Sequence, residues 1–217
     1  MKMKQMGKRM SAVTDVGSWT PRTEIGRMVK SGQITSIEQI SDMGKPILES
    51  EIIDMLLPTL EYETLQMKTT QRVTENGRKI KFRVVVLVGD KNGHVGIGVG
   101  KCEEVRPAIE SAVVDAKRNV ISVEMGCGSW ECVCGGKHSV PMETEGKYGS
   151  VTVTIKPAPR GLGLAANKVV RKILDNAGMK DVWSSTRGHT NNIYNTSQAT
   201  IAALRNVKLQ KATRPVS

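Results

Sequence analysis

Between Arg78 and Lys101 the chain reads RKIKFRVVVLVGDKNGHVGIGVGK, and no other stretch restricts its folding so tightly. Ile80, Phe82, Val84, Val86 and Val88 share one parity, while Lys79, Lys81 and Arg83 share the other. Side chains alternate faces along a strand, so this spacing predicts a strand with one apolar face and one cationic face turned outward. Asn92-Gly93 tolerates positive φ at both central turn positions and predicts the reversal of a β-hairpin there. On the return, Val95, Ile97 and Val99 point one way, whereas Gly96, Gly98 and Gly100 leave the opposite face bare and open to a partner's backbone. Each glycine weakens a strand interior by about 0.5 to 1 kcal/mol relative to alanine, so something should compensate. A phosphate chain lying on a bare, basic sheet would do so. The alternative for Lys79, Lys81 and Arg83 is an ordinary solvated strand face.

Charge narrows the partner. The 217 residues carry a net charge of +11 with a pI near 9.6, which calls for an anionic partner, and no amphipathic basic helix or lipidation signal directs it to a membrane. Aromatic residues make up only 3%, which argues against stacking of unpaired bases and favours contacts to the phosphates and shape of folded RNA. The opening MKMKQMGKRM has no apolar run behind it, and the longest aliphatic run, Val84 to Val88, is far too short to span a bilayer. A cytosolic protein of one or two domains is expected.

Residues 1–63 read as an N-terminal extension, basic through Lys30 and acidic from Glu38 to Glu63, as in a mobile arm followed by a docking segment. Ser36 and Ser50 mark helix starts. Ser50 is placed to cap a short helix carrying Ile52, Ile53, Leu56 and Leu57 on one face, ended by Pro58. Beyond the hairpin, Ile109, Ala112, Val113, Ala116 and Val120 share one face of a helix over 105–121, with Pro107 in its first turn. Lys117 and Arg118 fall in its last turn, where they complement the helix dipole or contact RNA. With Leu65 to Val73 as a preceding strand, residues 64–125 form three antiparallel strands and a helix.

GDKNGHVGIGVGK followed by EVRPAIESAVVDAKRN resembles the double-stranded-RNA-binding-like half of the ribosomal protein S-five family, the fifth protein of the small ribosomal subunit. The resemblance runs from about Thr64 to Val207, and the EIID and WTPRTEIGRMVK segments are similar to the archaeal and eukaryotic branch. It implies a non-enzymatic α+β protein that binds small-subunit ribosomal RNA, with the neighbouring S-four protein and other small-subunit proteins as partners. It further implies a position near the channel by which messenger RNA enters, and a contribution to decoding accuracy. The candidate RNA contacts are Arg72, Arg78, Lys79, Lys81, Arg83, Lys91, His94, Gly96, Gly98, Gly100, Lys101 and Lys156. A free-standing double-stranded-RNA-binding protein is the alternative. The glycines fit neither a dinucleotide fingerprint nor a phosphate loop, since Gly100-Lys101 is followed by Cys102 and position 95 is not glycine.

Residues 126–148 contain GCGSWECVCGGKHS, with Cys127, Cys132, Cys134 and His138 among glycines at 126, 128, 135 and 136. A loop that buries so little needs a cross-link, and four soft ligands suit tetrahedral zinc, although the spacing is not the paired C-x2-C of common zinc modules. Reduced cysteines without metal remain the alternative reading, and a disulfide framework is disfavoured by the lack of a secretory signal.

Residues 149–207 form a second α+β domain, and 208–217 a tail. Val151, Val153 and Ile155 alternate with Thr152, Thr154 and Lys156 as a strand, and PAPRGLG leads to a helix through Asn176 that Gly178 ends. Val169, Val170, Ile173, Leu174 and Ala177 form its core face; Asp181 to Thr186 is a strand and Ser197 to Arg205 a last helix. Strand, helix, strand predicts a right-handed βαβ crossover, whereas the family resemblance implies a left-handed one. The resemblance also puts Arg160, Gly161, Gly163 and Arg171 at the contact with the S-four protein. Pro157-x3-Gly161-Leu162-Gly163 is similar to the phosphate loop of the galactokinase and homoserine kinase superfamily. Leu164 and Ala165 stand where that superfamily has two serines, and no acidic residue stands nearby in sequence to act as base, so a small-molecule kinase is only a remote alternative.

Overall fold

The computed structural model describes residues 10, 11, 19–132, 134 and 136–213. The proposed basic arm over 1–30 and the tail past 213 therefore lie largely outside the described residues, as does Gly135. The described chain falls into two compact units, one within 10–88 and 96–120, the other within 89–95 and 121–213.

β1 (Met10–Ser11), β2 (Glu61–Thr74), β3 (Gly77–Gly89), β4 (His94–Cys102) and β5 (Ile121–Ser122) form a five-stranded sheet of order β1-β2-β3-β4-β5. The helices α1 (Glu24–Lys30), α2 (Ile37–Asp42) and α3 (Glu51–Leu56) precede the long hairpins, and α4 (Val105–Arg118) follows them. Only α1 escapes the sequence reading; Thr23 caps it, accepting from the Gly26 N–H at 3.1 Å. Ser50 sits at the start of α3 with helical backbone angles and no side-chain cap bond, so it does not act as the expected cap. Instead of forming a separate extension, α2 and α3 place Ile37 and Ile53 in one core with Val84, Val86, Val88, Ala108, Ala112 and Ala116. Burying that apolar face is what holds such short helices, since six residues are marginal alone.

The cationic parity of β3 holds only in its first half. Lys79 and Arg83 are exposed, but Val85 and Leu87 on the same parity are buried, and from Val84 the strand is covered on both faces. Gly96, Gly98 and Gly100 are corrected more sharply. A Cβ at Gly96 would lie against the Ala116 carbonyl, one at Gly98 against the backbone of Ala112 and Ala116, and one at Gly100 against the Ala108 carbonyl. The backbone that approaches the bare face is that of α4, so the compensation for three strand glycines is internal helix-on-sheet packing and not a nucleic acid.

The second unit holds β6 (Thr144–Tyr148), β7 (Val151–Pro157), β8 (Leu164–Ala165), α5 (Lys168–Ala177), β9 (Val182–Arg187) and α6 (Ile193–Thr213). The sheet order is β6-β7-β9-β8. Val151–Pro157 and Val182–Arg187 run antiparallel, with Ile155 opposite Ser184, so they are not the parallel pair of a crossover. The parallel pair is β8 with β9, Leu164 opposite Val182, and α5 connects them. Two residues of strand carry no period, which is why sequence hid β8. Gly178 ends α5 at φ +89, as expected of a left-handed cap. The last helix runs well beyond Arg205, through Thr213. It crosses β6 at Gly146, where a Cβ would meet Ala199 and Ala203 backbone.

Candidate nucleic-acid interface and metal centre

Twisted hairpins with long arms carry cations outward from the core they build. At the outer arm of β2 and β3, Thr70, Gln71, Arg72, Thr74, Lys79, Lys81 and Lys101 line one cleft of about 360 Å³. Thr70 Oγ1 donates to the Lys81 carbonyl at 3.1 Å, fixing the two strands across the cleft floor. Glu103 sits at its edge, 3.0 Å from Lys79 Nζ; that bond and the nearby charges of Lys79 and Lys81 hold its carboxyl below the usual range. Four predicted contacts thus converge, while Arg78 and Arg83, both exposed on β3, do not line the cleft.

Lys91, His94 and Lys156 belong to the second unit. The hairpin reverses over Asp90 to Gly93, with positive φ at Lys91 and Gly93, not at Asn92 as the dipeptide suggested. Asp90, which the sequence reading overlooked, organises the turn. Its Oδ1 accepts the N–H groups of Asn92 at 2.8 Å and His94 at 3.1 Å, and its Oδ2 lies 2.7 Å from His94 Nδ1. A carboxylate only accepts, so Nδ1 carries the proton and His94 is committed to its own turn. Burial pushes the Asp90 carboxyl up, but the bonds from His94 and Asn92 outweigh it and the net shift is downward. The tip is also tied to α5, with Lys91 N–H donating to the Asn176 carbonyl and Gly93 N–H to that of Ala177, both at 3.0 Å. Lys156 is paired at 3.0 Å with Glu143.

The Cys/His loop closes at its neck. Gly126 and Ser139 exchange two backbone bonds of 2.9 Å, and Gly128 N–H donates to the Val140 carbonyl. Inside, one donor atom from each of Cys127, Cys132, Cys134 and His138 lies within 4.8 Å of the others. Cys134 Sγ is 3.1 Å and Cys132 Sγ 3.7 Å from His138 Nε2. His138 Nδ1 faces Asp181 Oδ2 at 2.9 Å, which leaves Nε2 as the lone-pair nitrogen turned to the three sulfurs. The Cys134 thiol and the Arg160 N–H bring Cys132 down to about 6 against its burial, while burial raises Cys127. Three sulfurs, one oriented imidazole and an acidic residue behind it form a donor set that fits a tetrahedral soft cation.

Asp181 is the second residue that sequence reading missed, because no spacing rule links it to a histidine 43 positions away. Its Oδ1 accepts the N–H groups of Gly161 at 3.0 Å and Gly163 at 2.8 Å. Burial pushes its carboxyl up, but these donors and His138 hold it below the ordinary range. The same bonds answer the kinase alternative: an acidic residue does stand nearby, but it consumes the amides that a phosphate would need, and the helix begins only at Lys168. Of the proposed interface residues, Arg160, Gly161 and Arg171 are exposed and Gly163 half-buried.

The described chain comprises a hairpin sheet backed by one helix, with a basic cleft on its arm, and a second α+β unit; among the described residues no helix is long and apolar enough to cross a membrane. Residues 60–124 match the family model described as ribosomal protein S5, N-terminal domain, and 146–213 match ribosomal protein S5, C-terminal domain. The chain is 50% identical over 197 residues to the small ribosomal subunit protein uS5 of Methanocaldococcus jannaschii, covering 91% of each chain. It is 53% identical over 194 residues to that of Methanothermobacter thermautotrophicus, covering 89% of this chain and 90% of the relative. To that of Aeropyrum pernix it is 50% identical over 201 residues, covering 93% and 92%. The chain belongs to the ribosomal protein S5 family, in its archaeal branch, and is a structural protein and not an enzyme.

Proposed function

We propose that this chain is a structural constituent of the small ribosomal subunit, working in the cytoplasm in translation, and that it grips ribosomal RNA with the cleft of Arg72, Lys79, Lys81 and Lys101. The observation that supports this reading is convergence: four cations from three neighbouring strands line one groove, with Thr70 and Thr74 beside them. Cations neutralise phosphates and hydroxyls bond them without reading bases, which suits folded RNA. A free double-stranded-RNA-binding protein would hold isolated duplexes as tightly as subunit RNA. Co-sedimentation with small subunits, and loss of binding to isolated duplexes at physiological salt, are the outcomes expected here; equal affinity for both favours the alternative.

The family resemblance extends the proposal to messenger RNA where it enters the subunit and to the S-four protein as neighbour of Arg160, Gly161, Gly163 and Arg171. In this reading the turn affects accuracy because subunit closure on the codon-anticodon pair breaks contacts across it. Gly161→Arg should assemble normally yet raise near-cognate incorporation in reconstituted translation, and an unchanged error rate with full incorporation would remove the turn from decoding.

The cysteine centre is proposed to hold one structural zinc, with Cys127, Cys132, Cys134 and His138 Nε2 as ligands. The ion would supply a cross-link for a loop that lacks a core of its own. Elemental analysis should find about one zinc per chain in wild type and none in Cys132→Ser, with new protease sensitivity near residue 130. Metal-free, normally folded wild type would overturn it.

A further inference from the structure

The zinc reading leaves unexplained why the amides of the glycine turn 158–163 are held by Ser139 of the cysteine loop and by Asp181, the carboxylate behind His138. Leu162 N–H donates to Pro159 within the turn, but the other amides point outward from it. Ala158 N–H donates to the fully buried Ser139 Oγ at 3.2 Å. Gly161 and Gly163 N–H converge on Asp181 Oδ1, while the other oxygen of that carboxylate faces His138. One of the acceptors is thus the carboxylate that orients a metal-ligand candidate, His138.

Gly161 and Gly163 adopt φ of +94 and +77, with open space around each, so nothing steric holds them there. Their shape depends on those acceptors, since glycine has the most conformational freedom to lose. A metal on Nε2 leaves the proton on Nδ1, which holds the Asp181 carboxylate. Without it, the imidazole can turn or change tautomer, and the Asp181 carboxylate loses its aim.

We propose that metal occupancy of the cysteine centre sets the conformation of the 158–163 turn, so that the loaded centre holds the Gly161 and Gly163 amides on Asp181 and the emptied centre releases them. This rests on the zinc reading and deepens it.

The test is amide exchange on the full, unassembled chain with measured zinc content. Removing zinc by chelation should speed exchange at Gly161 and Gly163 about tenfold or more, while β7 and β9 stay protected. Asp181→Asn should retain zinc yet show the same release at Gly161 and Gly163. If wild type carries no zinc and cannot be loaded with it, the zinc reading fails and this proposal with it. If zinc binds at one per chain but chelation leaves the turn's exchange unchanged, the zinc reading stands and the coupling is overturned. Should Asp181→Asn fail to fold, a cobalt-loaded wild type titrated with chelator decides alone, its visible spectrum and the turn's exchange being expected to change together and overturning the coupling if they do not.

Discussion

Lys117 Nζ lies 2.7 Å from both carboxylate oxygens of Asp54, 63 residues away in the chain, with both side chains almost wholly removed from water. Position in the last turn of α4 suggested a dipole partner or an RNA contact for Lys117; the structure instead makes it the bolt between α4 and α3. Removing one partner strands a buried charge, so Asp54→Ala should cost about 3 to 5 kcal/mol in urea denaturation. Replacing both, as Asp54→Leu with Lys117→Met, should cost far less. A double-mutant cycle in which the two single changes simply add would show that the pair contributes nothing specific.

Two kinds of glycine can be told apart by one substitution each. Gly98→Ala puts a methyl into the backbone of α4 at Ala112 and Ala116, and should cost on the order of 3 kcal/mol or abolish cooperative unfolding. Gly161→Ala meets nothing but keeps φ at +94, and should cost only about 1 kcal/mol. Equal losses in thermal melts would refute the distinction.

That contrast also shows where sequence runs out. Alternation and helical spacing marked the strands of the first hairpin, α4, α5, β7 and β9, because each element buries a periodic face. The same alternation could not say which backbone the glycine face receives, since a helix and a phosphate chain both need a missing Cβ. Cys127, Cys132, Cys134 and His138 were legible as donors lying close in sequence. Asp90 and Asp181 were not, because a carboxylate that accepts three bonds in a turn is specified by three-dimensional convergence and leaves no period. Lys117 was misread for the same reason: its partner lies in a segment with its own local pattern.

Asp90 predicts an acid response of the hairpin tip. Its folded pKa lies below the ordinary value, so the unfolded chain takes up the proton first as pH falls. The stabilisation is complete above the unfolded value of about 3.9 and is lost as pH drops through the folded value beneath it. Protection of the Asn92 and His94 amides, as exchange relative to the unstructured chain at the same pH, should therefore be high at neutral pH and fall only in that acid window. Asp90→Asn should be less protected throughout, with the gap to wild type closing toward low pH; a gap independent of pH would rule out the carboxylate as the cause.

The basic cleft makes the most discriminating prediction, because the salt dependence of binding counts phosphates. Each phosphate neutralised contributes about 0.9 to the slope of log affinity against log salt on duplex and about 0.7 on single strands. Changing Arg72, Lys81 and Lys101 together to Ala should lower the slope by about 2 to 3 units on subunit RNA. Lys79 stands apart, since Glu103 already holds it at 3.0 Å with both side chains more than half exposed. Lys79→Ala should thus cost less than Lys81→Ala, for it removes one cation but also frees an anion at the cleft edge. Glu103→Ala reverses the sign: freeing Lys79 for a phosphate should tighten binding and steepen the slope by somewhat under 1 unit. Filter binding across a salt series measures all of these. If Glu103→Ala and Lys79→Ala both leave the slope of wild type unchanged while the protein still co-sediments with the subunit, the cleft is a solvated strand face and RNA is held elsewhere.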